Sequence, residues 1–135
     1  MENKKRLEES KLFTPYKLGS VTLRNRVIRS AAFESMGKDF APTQQLKDYH
    51  VSVARGGVGM TTVAYASINR SGISFNKQLW LRDEIVPALR DRTDAVHNEG
   101  AAVGIQLGHC GNMTHWSTAG SFPVSASNGF NHYSP

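Results

Sequence analysis

A single cysteine, Cys110, occurs in the 135 residues, so no internal disulfide can form and the chain suits a reducing compartment. Long apolar runs are missing too, and none approaches the roughly 20 residues of a membrane-spanning helix. The opening "MENKKRLEES" carries both signs of charge with no apolar stretch after it, which excludes a secretory signal there. Sixteen Lys plus Arg against eleven Asp plus Glu give a formal charge of +5, but the cations are scattered. No dense basic run interleaved with aromatics offers a nucleic-acid footprint. The expectation is a cytoplasmic, globular chain with neither nucleic-acid nor membrane partners.

What is present is an alternation of periods. Residues 1–10 read as a solvated, flexible leader. Gly19-Ser20 stands between Tyr16-Lys17-Leu18 and Val21-Thr22-Leu23, a short hairpin signal, and Val27-Ile28 opens a strand ending near Ser30-Ala31. Thr43 is a helix N-cap ahead of Leu46, Tyr49, Val53 and Ala54 at helical spacing, and Gly56-Gly57 supplies the stop. "VGMTTVAYA", residues 58–66, is small and β-branched, as a strand buried on both faces requires. After a Ser-, Asn- and Gly-rich loop over 67–82, a second helix runs from Asp83 or Pro87 to about Asn98, burying Ile85, Leu89 and Val96. Strand Ala102–Leu107 follows, and residues 108–135 show no convincing period. Strands alternating with helices imply parallel pairing with right-handed crossovers.

Along the last strand, Val103, Ile105 and Leu107 point to one side, toward the helices, and Ala102, Gly104 and Gln106 to the other. The glutamine therefore sits at a carboxyl strand end, where parallel α/β folds bind ligands. Its amide can donate and accept at once, which suits an imide-like ring edge. Taken alone, such a residue is more often a satisfied structural amide.

Other candidates carry less. His109, Cys110 and His115 lack a fourth ligand at zinc spacing, so no metal site is expected. Cys110 reads as a small turn residue. Gly56-Gly57-Val58-Gly59 follows a helix and precedes a strand, the reverse of a dinucleotide fingerprint. Glu34, a lone carboxylate after a strand, reads as solvated or salt-bridged rather than as a general base. Trp80 and Trp116, in loops, fit a mouth or an interface equally well.

Several motifs in order resemble the Old Yellow Enzyme family of NAD(P)H:flavin oxidoreductases. These are Leu12-Phe13-Thr14-Pro15, Gly19, Leu23-Arg24-Asn25-Arg26-Val27-Ile28, and the "RSAAFESM" of Arg29–Met36. "ARGGVGMTTVAYASINRSG" and "LRDEIVPALRDRTDAVHNEGAAVGIQLGHCG" continue the likeness, which spans roughly residues 11–112. The resemblance implies an FMN-binding (β/α)8 barrel, of which residues 11–135 would be the N-terminal part: bottom hairpin, three parallel strands and two helices. It implies FMN contacts from Ser30, Ala31, Ala32 and Phe33 after the first strand, from Ala64 or Tyr65 after the second, and from Gln106. With the resemblance, a flavin-facing Gln106 is preferred to a structural one.

The implied reaction moves hydride from NAD(P)H through FMN to an activated, enone-like alkene. Phe33 stands where many members carry a polar Thr or Cys, Tyr65 is bulkier than the usual Ala or Gly, and Asn112 replaces a common Arg. A barrel of this type takes about 250 residues. The family's His-x-x-His/Asn pair, its acid Tyr and its phosphate-binding loops would all lie beyond this chain, and His109 and His115 do not stand in for that pair. No catalytic residue is therefore assigned. The alternative expectation is an inactive fragment, or a half-barrel that needs a partner.

Overall fold

The computed structural model describes residues 10–127 and 129. Residues 1–9 of the expected leader, and the tail from 130, lie outside the described residues. Strands β1 (Tyr16–Leu18) and β2 (Val21–Leu23) form the expected antiparallel hairpin, and Gly19 takes the left-handed φ of +59° that a residue without Cβ adopts freely. Strand β3 (Ile28–Arg29) follows. A second, unexpected hairpin pairs β4 (Gly37–Lys38) with β5 (Ala41–Pro42).

That second hairpin turns through Asp39 and Phe40, at φ of +52° and +59°. Two left-handed residues in a two-residue turn normally call for Asn-Gly or Asp-Gly, so Asp-Phe carries no signal. The backbone strain is held by distant partners: Phe40 O accepts from Trp80 N at 3.0 Å and from an Arg82 guanidinium nitrogen at 3.1 Å. Gly37 N also donates to Lys77 O at 3.1 Å, and a Cβ on Gly37 would lie 2.4 Å from that oxygen.

Helix α1 (Gln44–Arg55) begins where Thr43 Oγ1 accepts from Leu46 N, and it buries Leu46, His50 and Ala54 along one stripe. Strand β6 (Met60–Ser67) leads through the loop to helix α2 (Val86–Asn98), which a 3-10 turn at Asp83–Ile85 precedes. Strand β7 (Ala102–Gly108) then enters the sheet, and a four-residue helix, α3 (Trp116–Ala119), lies in the stretch that showed no period. The main sheet has the order β3-β6-β7, all parallel.

Two apolar clusters share Val103. Leu46, Val63, Ala66 and Leu79 form one, with Leu89 and Ile105 packed against it; Ala54, Val96 and Ala101 form the other. Leu107 departs from the expected pattern. It was expected to join Val103 and Ile105 against the helices, yet it is 59% exposed. The register slips between Val63↔Ile105 and Ala66↔Leu107, and no described helix covers that end of β7.

The Leu23-Arg24-Asn25-Arg26 motif has a structural explanation. Leu23 is buried, and Arg24 donates to Ala54 O, to Val58 O at 2.9 Å and to Glu99 O at 2.8 Å. One guanidinium thus collects carbonyls from the ends of both long helices, where the helix dipoles are negative. Asn25 adds a bond to Gly57 O at 2.7 Å. These contacts put the β1–β2 hairpin at the amino ends of β6 and β7 and leave the carboxyl ends to form a mouth.

Candidate functional site at the carboxyl strand ends

Register sets the levels of the mouth. Ile28, Met60 and Ala102 are neighbours across the sheet, and Arg29, Thr61 and Val103 occupy the next level. Thr61 and Val103 face the helices, so alternation sends Thr62, Gly104 and the exposed Ser30 to the opposite face. At Gly104 the missing side chain makes room for Met60, whose Cε would lie 2.7 Å from a Cβ there.

At the next level the ladder is irregular. Val63 pairs with Ile105 and Ala66 with Leu107, so Ala64 and Tyr65 together stand opposite the single residue Gln106. This is a β-bulge, the device by which strand ends re-aim side chains beside functional sites. Gln106 is exposed, and no described residue hydrogen-bonds its side-chain amide. Its amide is therefore free to donate and accept toward a ligand. The structure brings Ala64, Tyr65 and Gln106 into one constellation, as neighbours of the residues that follow β3.

Within that segment, Ser30 and Ala32 are exposed and Ala31 is half-buried. The Ala32 carbonyl accepts from Arg29 at 3.2 Å. Phe33 does not present a free ring. It stacks on Phe75 with centroids 5.1 Å apart and tilts against Tyr65 at 5.7 Å. The Tyr65 hydroxyl is 3.1 Å from Ser74 Oγ, and Gln78 Oε1 accepts from Ser74 N at 2.8 Å and from Ser74 Oγ at 3.0 Å. The loop after β6 thus fastens both aromatic departures from the family pattern into one wall.

Behind this wall lies a buried polar network that the sequence did not reveal. Glu34, its side chain 6% exposed, accepts from Arg29 at 2.6 Å and from the Ala64 backbone N–H at 3.2 and 3.3 Å. His50 Nε2 lies 3.4 Å from the same carboxylate, long for a hydrogen bond, while His50 Nδ1 is 2.8 Å from Thr61 Oγ1. Arg29 also reaches Thr62 O at 2.6 Å and lies over the Tyr49 ring. Burial pushes the Glu34 carboxyl up, but the His50 and Arg29 contacts outweigh it and hold the group below the ordinary glutamate value. The salt-bridged reading of Glu34 is the one the structure supports. His50 left one trace in the sequence, its place between Leu46 and Ala54 on the buried helical stripe.

The remaining candidates resolve as scaffold. His109 Nε2 meets Ser71 Oγ at 3.1 Å and its Nδ1 accepts from Gly111 N at 2.9 Å, and its ring packs on Gly72. His115 caps α3 through Ser117. Among the described residues no group of three or more His, Cys, Asp or Glu is placed to hold a metal ion. Gly56-Gly57 ends α1, with Gly57 at φ +102°. The guanidinium groups of Arg70 and Arg82 lie 5.7 and 5.0 Å from the centre of the Trp80 ring. No helix among the described residues is long and apolar enough to cross a membrane.

Residues 11–133 match the model of the NADH:flavin oxidoreductase / NADH oxidase family. A protein named "Probable N-methylproline demethylase" from Rhizobium meliloti is 45% identical over 117 residues, covering 85% of this chain and 17% of that protein. An NADPH dehydrogenase from Listeria welshimeri is 40% identical over 106 residues, covering 76% of this chain and 31% of its own length. The Old Yellow Enzyme homologue from Zymomonas mobilis superposes with a TM-score of 0.79 at 27% identity, over 87% of this chain and 33% of that one. The chain spans between 17% and 31% of these two curated relatives, and its fold matches the N-terminal part of such barrels. It belongs to the NADH:flavin oxidoreductase / NADH oxidase family, that of the Old Yellow Enzymes.

Proposed function

We propose that residues 11–135 supply the first part of an FMN-binding barrel, in an oxidoreductase that takes hydride from NAD(P)H and delivers it to an activated alkene. The observation that carries this reading is the unpartnered Gln106 amide opposite the Ala64–Tyr65 bulge, beside the segment that holds the exposed Ser30 and Ala32. Bound FMN would supply the two-electron carrier that neither Gln106 nor the aromatic wall provides. The protein's part is recognition and electrostatics. Gln106 would both donate to and accept from the imide edge of the ring. Backbone N–H groups of Ala31–Phe33 would stabilise negative charge that builds up on the ring as it is reduced.

Activity of the whole enzyme rests on more chain than this, because the relatives are three to six times as long as the matched segment. A second reading is therefore a catalytically silent fragment, or a half-barrel completed by a partner. The 59% exposure of Leu107 on the open flank of β7 favours it. Titrating FMN fluorescence with the purified 135-residue chain separates the readings. Saturable quenching that Gln106→Leu weakens at least about tenfold supports the flavin assignment. No quenching by the wild-type chain removes FMN binding from this chain and leaves the fragment reading. NADPH-dependent turnover by the isolated chain would overturn that second reading instead.

A further inference from the structure

We propose that Glu34 is the positioning residue of the mouth: its buried carboxylate holds the Ala64–Tyr65 bulge opposite Gln106 and, through Arg29, holds the Ser30–Phe33 backbone. The flavin reading above supplies only what the mouth is positioned for.

The sheet explains why a carboxylate is needed. Strand β3 pairs with β6 only at Ile28↔Met60 and Arg29↔Thr61, then leaves the ladder. From Thr62 to Ala66 no described strand lies beside the edge of β6 that faced β3, and that edge is paired again only at Ser67, by Trp80. Ala64 is 4% exposed, so its N–H cannot turn to water for a partner. Glu34, further along the departing segment, takes that N–H with both oxygens. The ionised carboxylate makes these bonds charge-assisted, although at 3.2 and 3.3 Å they are long. The same carboxylate holds Arg29, whose guanidinium reaches Thr62 O on β6 and Ala32 O in the expected flavin segment. One side chain thus connects the two segments on which the proposed ring contacts lie.

Three cationic or titratable groups face Glu34 from the surrounding elements. Arg29 comes from β3 and His50 from α1. Arg92, on α2, is 3% exposed, and burial lowers its value against the opposing charges of Asp91 and Glu34. The His50 and Arg29 contacts outweigh burial and keep the carboxylate ionised, and so keep it an acceptor for Ala64.

The test uses the full chain in solution NMR. The Ala64 amide and the Glu34 carboxyl carbon are followed together from about pH 7 to about pH 3, a span that covers ordinary glutamate titration. Both should move with one midpoint, lying below that of an unperturbed glutamate. An Ala64 amide that stays still while Glu34 protonates overturns the proposal. Glu34→Asp keeps the charge but withdraws it by one methylene. It should lower hydrogen-exchange protection at Ala64 and weaken FMN binding about tenfold, the factor that one charge-assisted hydrogen bond is worth, with the far-UV circular dichroism retained. Unchanged protection at Ala64, or unchanged FMN affinity, overturns it. A wild-type chain that binds no FMN defeats the flavin reading alone, because the amide titration still decides whether Glu34 holds the bulge.

Discussion

His50 Nδ1 lies 2.8 Å from Thr61 Oγ1, and neither residue exposes any surface. The pair ties the buried stripe of α1 to the amino end of β6. Thr61→Val keeps the shape and removes the partner, leaving a ring nitrogen stranded away from water. The expected loss is about 1–3 kcal/mol, the penalty of one buried unsatisfied polar group. Urea denaturation measures it. A midpoint equal to wild type would show that His50 finds another partner.

Acid should weaken the fold through Glu34. Its folded-state value lies below the ordinary one, because contacts from His50 and Arg29 overcome the opposing effect of burial. A depressed carboxylate contributes stability that is fully present above its unfolded value, near 4.5, and that is lost as pH falls through the lower folded value. Denaturation midpoints should therefore hold steady down to roughly pH 5 and then fall. Glu34→Gln should be less stable at neutral pH, since it leaves Arg29 without its counter-ion. It should also lose part of the acid-dependent slope, and a slope equal to wild type would assign acid sensitivity to other carboxylates.

Arg24 makes a sharper case for geometry over charge. Its three nitrogens reach Ala54 O, Val58 O and Glu99 O, carbonyls spread over two helix ends and one strand entry. Lysine carries the same charge on a single nitrogen and cannot reproduce that fork. Arg24→Lys should lose about 2 kcal/mol or more, on the scale of bonds to a charged group. Hydrogen exchange should quicken first at the last turns of α1 and α2. Full rescue by lysine would mean that dipole neutralisation alone is at work.

Much of this architecture could be read from the chain, and the reason differs by element. Helices α1 and α2 and strands β6 and β7 were legible because burial on one side imposes a period on the residues themselves. The hairpin over 37–42 was not, since Asp39 and Phe40 hold left-handed backbone through bonds from Trp80 and Arg82 that no local pattern announces. The bulge was equally hidden. Whether Gln106 faces one residue or two depends on the register between β6 and β7, which is a property of two strands together. For the same reason Glu34 read as a lone carboxylate: its partners come from β3, α1 and β6.

Two glycines separate a rigid close approach from a yielding one. A Cβ on Gly37 would meet the Lys77 carbonyl oxygen at 2.4 Å, and backbone cannot move aside without opening the β4–β5 hairpin. A Cβ on Gly104 would meet Met60 Cε at 2.7 Å, the far end of a flexible side chain. Gly37→Ala should therefore destabilise by roughly 1–3 kcal/mol, as overpacking does. Gly104→Ala should cost less than Gly37→Ala, because the Met60 side chain can move aside where the Lys77 backbone cannot. Thermal melts of the two variants make the comparison, and equal losses would contradict it.

Gln106 decides between structure and recognition. An amide that satisfied the interior would leave partners unpaired when removed, and Gln106→Leu would then lose about 1–3 kcal/mol. Gln106 is instead exposed, and no described residue bonds its side-chain amide, so the same change should move stability by no more than about 0.5 kcal/mol. The proposed ring contact predicts the opposite for binding: two hydrogen bonds to an imide edge vanish, and FMN affinity should fall at least about tenfold. Denaturation and flavin titration on one preparation give both numbers. A destabilised variant with unaltered flavin binding would return Gln106 to the scaffold.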